Sequence, residues 1–174
     1  MTNPTDIRAI GTTLYFLPVV TRVPLKFGPE TLTYVTCARA RVAVTDANGR
    51  TAVGWGETPL SVQWFWPSSL SYAERHDALK HFCLMLAEAW AGYEAWGHPL
   101  EVGHAFQQQM LPGLLADLNA RRAGSEPMPW LAALVCCSAF DIALHDAYGV
   151  LHNRPIYETY GPPFMQHDLS YYLR

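Results

Sequence analysis

The chain has 174 residues, and 12 lysines and arginines against 15 aspartates and glutamates leave a formal net charge of −3. Its densest basic groups are the pairs Arg39/Arg41 and Arg121/Arg122, too small for the clustered cations that nucleic-acid binding requires, so no nucleic-acid partner is expected. Half of the residues are apolar, 13 % are aromatic and only 16 % are charged, which excludes a disordered chain and implies one domain with a substantial core.

The start, Met1-Thr-Asn-Pro-Thr-Asp6, lacks a basic region followed by an apolar run, so no secretory signal is expected. The longest apolar stretch, Pro129 to Phe140, is stopped by Asp141, short of the roughly 20 residues that span a bilayer, so no membrane partner is expected either. Cys37, Cys83, Cys136 and Cys137 form no C-x-x-C pair and no regular framework, which predicts buried thiols in a reduced, cytoplasmic chain.

Ile7 to Leu17 is rich in β-formers and runs into Pro18, predicting a first strand. From Thr33 to Thr45, Tyr34, Thr36, Ala38, Ala40, Val42 and Val44 alternate with positions that include Arg39 and Arg41, the pattern of a strand with one wet face. Asp46-Ala-Asn48-Gly49 supplies a turn and Thr51 to Glu57 a third strand, completing an antiparallel meander. Gly54-Trp55-Gly56-Glu57 reads as a strand ending in a tight bend, because neither the glycine spacing nor the helix of a phosphate loop follows.

Ser71-Tyr-Ala-Glu74 fits a capping box, and a helix from there to about Trp96 carries Leu79, Phe82, Cys83, Leu86 and Trp90 on one face. A second helix covers Leu100 to Asn119, kinked near Pro112-Gly113. A third starts near Trp130, with Leu134, Cys137, Asp141, Leu144, Tyr148 and Leu151 along one face. Residues 152 to 165 are a connector punctuated by proline and glycine, and Asp168 to Arg174 looks like the opening of a strand. The fold class is α+β, a three-stranded antiparallel meander followed by a helical bundle.

Little in this pattern carries chemistry. The histidines at 76, 81, 98, 104, 145, 152 and 167 are scattered and none repeats at i, i+4, so no metal site is expected. No G-x-S-x-G occurs, and no catalytic residue is assigned. Asp141 and Asp146 could be an acid/base pair. A structural role is favoured, in which each accepts hydrogen bonds from backbone or from an arginine such as Arg154, since burying an unpaired carboxylate is costly. Trp64-Phe65-Trp66, inside the loop from Thr58 to Ser69, would line a ligand pocket or pack on another domain.

The order of these features, with Gly54-Trp55-Gly56-Glu57 closing the third strand and Leu131-Ala-Ala133, Asp141-Ile-Ala-Leu-His-Asp146-Ala-Tyr-Gly149 and Arg154-Pro155-Ile-Tyr157 following, resembles the N-terminal capping domain of the enolase superfamily. The likeness is to its mandelate racemase and muconate lactonizing enzyme branch and covers nearly the whole chain. In that family the last capping helix commonly reads A-L-W-D-x-x-G-K, whereas this chain has Ala143-Leu144-His145-Asp146-Ala147-Tyr148-Gly149-Val150, departing at the Trp and Lys positions.

The resemblance implies a cap over residues 1–165 and, over 166–174, the first strand of a β/α barrel whose remainder is absent. It implies Mg²⁺-dependent proton abstraction α to a carboxylate by the full enzyme, as a racemase, dehydratase or cycloisomerase. The metal and the bases would sit on the barrel, so no cofactor is expected in this chain, which would be inactive alone. It implies a small carboxylate substrate, a homo-oligomer, and two mobile capping segments, Thr21 to Glu30 and Thr58 to Ser69, closing over the barrel mouth. Their apolar residues Val23, Pro24, Leu25, Phe27, Trp64, Phe65 and Trp66 would contact substrate, while Asp141, Asp146, Gly149 and Pro155 would be structural. The competing expectation is a stand-alone protein-binding or dimerisation module that reuses the fold.

Overall fold

The computed structural model describes residues 3–27 and 30–172. Strands β1 (Ile7–Phe27), β2 (Glu30–Asp46) and β3 (Thr51–Pro59) form one antiparallel sheet in the order β1-β2-β3, as the alternation requires. The first strand does not stop at Pro18. That residue pairs with Thr36, and the ladder continues to Phe27 opposite Glu30. β1 is an edge strand, where a missing N–H is tolerated. The expected mobile loop Thr21 to Glu30 is therefore mostly a two-stranded hairpin arm. It projects beyond the reach of β3, whose last partner is the pair Cys37/Pro59.

The helices are α1 (Val62–Phe65), α2 (Tyr72–Ala91), α3 (Pro99–Gln109), α4 (Leu111–Arg121) and α5 (Trp130–His152), with 3-10 turns at Ile156–Thr159 and Leu169–Tyr171. The Ser71/Glu74 capping box forms as read, Ser71 Oγ accepting from the Glu74 amide and Glu74 Oε2 from the Ser71 amide. All five predicted facing residues of α2, from Leu79 to Trp90, are buried. The helix ends at Ala91 rather than Trp96, because Gly97 leaves it to exchange two backbone hydrogen bonds with Ile7 at 3.1 Å. The expected kinked helix is two helices divided at Met110: Pro112, which cannot donate to a carbonyl one turn earlier, occupies the first turn of α4.

α5 is the centre of the molecule. By length and composition it could cross a membrane, yet half of its most apolar stretch is buried, and it lies on the inner sheet face formed by Ala38, Ala40, Val42 and Val44. Its approach to β3 is closer than side chains allow. A Cβ on Gly54 would overlap Ala143 and Ala147, and one on Gly56 would overlap Ala139 and Ala143. The Gly54-Trp55-Gly56-Glu57 segment is thus not a strand ending in a bend: the strand runs on to Pro59, and the glycines make room for a helix. Gly149 serves a related purpose, its missing Cβ lying 2.9 Å from Arg154 O where the chain doubles back.

The C-terminal segment departs from expectation. Leu169–Tyr171 is a 3-10 turn, with Asp168 Oδ1 accepting from the Ser170 amide at 2.8 Å. A strand needs a partner edge for its backbone groups, and none of β1 to β3 pairs with this segment.

His98 begins α3 in a second capping box, its Nδ1 accepting from the Leu100 amide at 3.2 Å while Glu101 Oε2 accepts from the His98 amide. With Nδ1 an acceptor, Nε2 carries the proton and donates to Thr159 Oγ1 at 2.9 Å, and that hydroxyl donates to Ile156 O. The ring is fully buried. Burial first, and His145 and His152 second, push its pKa down to about 3.

Two predictions follow from this packing. Gly56→Ala should destabilise the chain by about 3 kcal/mol or more, or abolish folding, whereas Gly113→Ala, where a Cβ meets open space, should change the urea midpoint little. For His98 the unfolded pKa is near 6.5 and the folded one is lower, so between them the unfolded chain binds the extra proton. Its stabilisation is complete above about pH 6.5 and is lost at up to about 1.4 kcal/mol per pH unit below. Urea unfolding at about pH 7 and about pH 5 should show a loss that is smaller by roughly 2 kcal/mol in His98→Asn, which keeps a capping acceptor.

An apolar hollow as the candidate functional site

Past β3 the chain turns sharply and is pinned. The Leu60 amide donates to Thr36 O at 2.8 Å, and Leu60, Val62, Phe65 and Trp66 are buried. The single turn of α1 rotates Trp64 outwards, leaving it 63 % exposed, with its ring edge-on to Phe65 at 6.1 Å. Across from it the hairpin arm presents Leu25, which pairs with Leu32. Between arm and α1 lies a hollow of about 500 Å³, lined by Leu25, Leu32, Trp64, Phe65 and Val135 of α5, with Thr58, Pro59 and Ser61 at its rim.

Of the residues expected to contact substrate, the structure brings Leu25, Trp64 and Phe65 together. Val23 and Pro24 are exposed on the irregular part of the arm and do not line the hollow. The side chain of Phe27 lies outside the described residues. Trp66 faces the other way: it is buried, its Nε1 donates to Glu126 Oε1 at 3.1 Å, its carbonyl accepts from Arg75, and Arg122 sits 5.2 Å above its ring. The Ser68 hydroxyl also donates to Glu126, and hydrogen bonds from Ser68 and Trp66 hold that carboxyl below its usual range. Trp66 is thus the anchor of the segment and Trp64 its exposed face. The difference was not readable from three consecutive aromatics, which only the turn of α1 separates. Leu32 and Val135 were missed because they reach the hollow only through the extended register of β1 and the N-terminal turn of α5.

Among the described residues no ionised side chain lines the hollow, and the thiol of Cys37, which pairs with Pro59 in the sheet, is pushed up to about 11 by burial and by Glu57. Such a hollow can desolvate an apolar group. Its hydroxyls are those of Thr58 and Ser61, and no group of three His, Cys, Asp or Glu side chains able to hold a metal occurs among the described residues.

The expected structural residues hold the fold elsewhere. Asp146 Oδ2 accepts the Trp55 amide at 2.8 Å, satisfying an outward-facing donor of β3. Asp141 lies against Gly103 of α3 and 3.8 Å from His145 Nδ1, with burial raising its pKa and His145 opposing. Arg154 reaches neither. It lies 4.0 Å from Glu158 and over the Phe164 ring. Pro155 precedes the 3-10 turn at Ile156–Thr159 as its N-cap.

The distinct roles of the two tryptophans are testable by denaturation. Trp66→Ala should cost about 3–5 kcal/mol, as for a fully buried aromatic, and Trp64→Ala less than about 1 kcal/mol.

No family model and no curated protein matches the chain. Among solved structures it is similar to the L-Ala-D/L-Glu epimerase from Bacillus subtilis in a substrate-liganded complex, at 19 % identity and a TM-score of 0.52, over 88 % of this chain and 34 % of that one. It is also similar to an enolase from Bradyrhizobium complexed with magnesium and mandelic acid, at 17 % identity and a TM-score of 0.50, over 91 % of this chain and 35 % of that one. The chain thus spans about a third of the length of these proteins, and its α+β architecture is the fold that these members of the enolase superfamily carry over that third.

Proposed function

We propose that this chain acts as the N-terminal capping domain of an enolase-superfamily enzyme, residues 1–165 closing over a β/α barrel that begins near residue 166, and that it selects the substrate. The observation that carries this reading is the asymmetry of the structural likeness, about nine-tenths of this chain against a third of each enzyme. The hollow supports it. Leu25 on the arm and Trp64 and Phe65 after β3 belong to the two segments that the family resemblance marks as closing on substrate, and they meet across one apolar space.

The reaction of such an enzyme removes a weakly acidic proton α to a carboxylate, and the dianion that forms demands strong electrostatic stabilisation. Mg²⁺ supplies it in the family. The described residues of this chain do not fit that ion, since no three ligand side chains converge, so in this reading the metal and the bases belong to the barrel. The cap contributes desolvation and shape: an apolar or aromatic portion of a small carboxylate substrate enters the hollow, and the arm and α1 exclude water around it.

The coding sequence beyond the Arg174 codon is the first test, with a continuing frame of about 200 residues expected for a barrel. In the enzyme so encoded, Trp64→Ala and Leu25→Ala should raise KM or lower kcat/KM by about 10-fold to about 1,000-fold, the range that burial of one apolar side chain allows. Unchanged kinetics in both variants overturns the specificity role. A stop codon after Arg174 with a matching intact mass overturns the capping role and favours the protein-binding module.

A further inference from the structure

On the far side of β3 from the hairpin arm, a second hollow of about 390 Å³ lies between the sheet edge, α5 and the turn that follows it. Its walls are Trp55, Tyr157 and Tyr160, with Ile142 at the base and the carboxylates of Asp141 and Asp146 at the rim. The rings are set at angles: Tyr157 and Tyr160 are inclined by 68° at 6.0 Å, and Tyr160 and His145 by 61° at 6.2 Å. These side chains line one hollow together with carboxylates, and aromatic surface beside negative charge attracts a cation that is too weakly hydrated to prefer water.

The site has not been filled by the chain's own cations. Among the described residues, arginines lie over Trp96, Trp66 and Phe164, and none over Trp55, Tyr157 or Tyr160. Arg39, at the next hollow along the edge, is paired with Glu57 at 2.6 Å, and Arg154 is directed to Glu158. Among the described residues Asp146 accepts from the Trp55 amide and pairs with no lysine or arginine, and Asp141 lies 3.8 Å from His145, which also lines the hollow. Trp55, whose ring stacks on Tyr15 at 6.1 Å, and Tyr157 remain 46 % and 81 % exposed.

We propose that this hollow binds a small organic cation, an alkylated ammonium of about the size of choline, held by cation–π contact with Trp55, Tyr157 and Tyr160 and by the charge of Asp146. The site is separate from the apolar hollow and uses none of its residues, so it stands or falls independently of the capping reading.

Calorimetric titration of the 174-residue chain with choline, and with its neutral carbon isostere, tests the assignment. Choline should bind saturably at one site and the isostere should not. Trp55→Ala, Tyr157→Ala and Asp146→Asn should each weaken choline by about tenfold or more. Asp146→Asn keeps an oxygen for the Trp55 amide while removing the charge. Leu84→Ala, on the exposed face of α2, should leave binding unchanged. Tyr157 is exposed enough that its loss leaves the fold intact, which an unchanged thermal midpoint verifies. No saturable choline binding, equal binding of the isostere, or unaltered affinity in both Tyr157→Ala and Asp146→Asn overturns the proposal.

Discussion

The contact between α5 and β3 fixes most of what the molecule presents. A helix normally stands off from a sheet by the length of interleaved side chains, but here Ala139, Ala143 and Ala147 meet Gly54 and Gly56 with no Cβ between. Van der Waals attraction falls steeply with separation, so backbone-to-backbone packing stabilises the pair strongly and tolerates no added atom. Two consequences follow directly. Asp146 comes within hydrogen-bonding reach of the Trp55 amide and covers an exposed sheet edge. The first turns of α5 bring Val135 up beside Phe65, where it closes the apolar hollow.

From that seat the remaining helices are placed by similar means. α3 approaches α5 at Gly103, where a side chain would collide with Asp141, and α2 buries Leu79, Phe82, Cys83, Leu86 and Trp90 towards the same centre. Trp90 stacks on Phe106 of α3 with ring centroids 4.0 Å apart, joining the two helices through aromatic surface rather than through small residues. The result is a tightly fixed body with one extension, the two-stranded arm beyond the Cys37/Pro59 pair. A two-stranded ribbon without a third strand or a covered face has little to hold it. Val20, Val23 and Leu25 are exposed along it, so the part of the fold that borders the apolar hollow presents apolar side chains to solvent.

The sequence was informative wherever a periodic pattern met a local signal. The face of α2, the Ser71/Glu74 box and the alternation of β2 each contain their own answer in consecutive residues. It was misleading where a residue's meaning depends on a distant partner. Pro18 is read as a stop in isolation, but on an edge strand its missing donor costs nothing. The glycines of β3 look like turn residues until α5 is set against them. Trp64 and Trp66 have the same composition and opposite roles, decided by Leu60, Phe65 and the distant Glu126. Of the apolar hollow, the contributions of Trp64, Phe65 and Leu25 were legible, while Leu32 and Val135 required the strand register and the helix seat.

Burial also sets the protonation states of several titratable groups. Burial pushes the thiols of Cys37 and Cys137 up to about 11 and about 12, and Cys136 well above its ordinary value, which leaves them without the thiolate that a nucleophile needs. His98 is locked neutral between two hydrogen bonds, so it caps a helix and cannot exchange protons near neutrality. Asp46, buried at the sheet end, is held below the usual carboxylate range by hydrogen bonds from Arg50 and from the Asn48 and Arg50 amides, against its own desolvation. In each case the ionisable group is committed to one protonation state by the fold it supports, whereas proton-transfer chemistry needs groups poised between two. The burial that fixes these states also builds the core, and what the fold leaves open to solvent are an apolar hollow at one end of the sheet and an aromatic one at its edge.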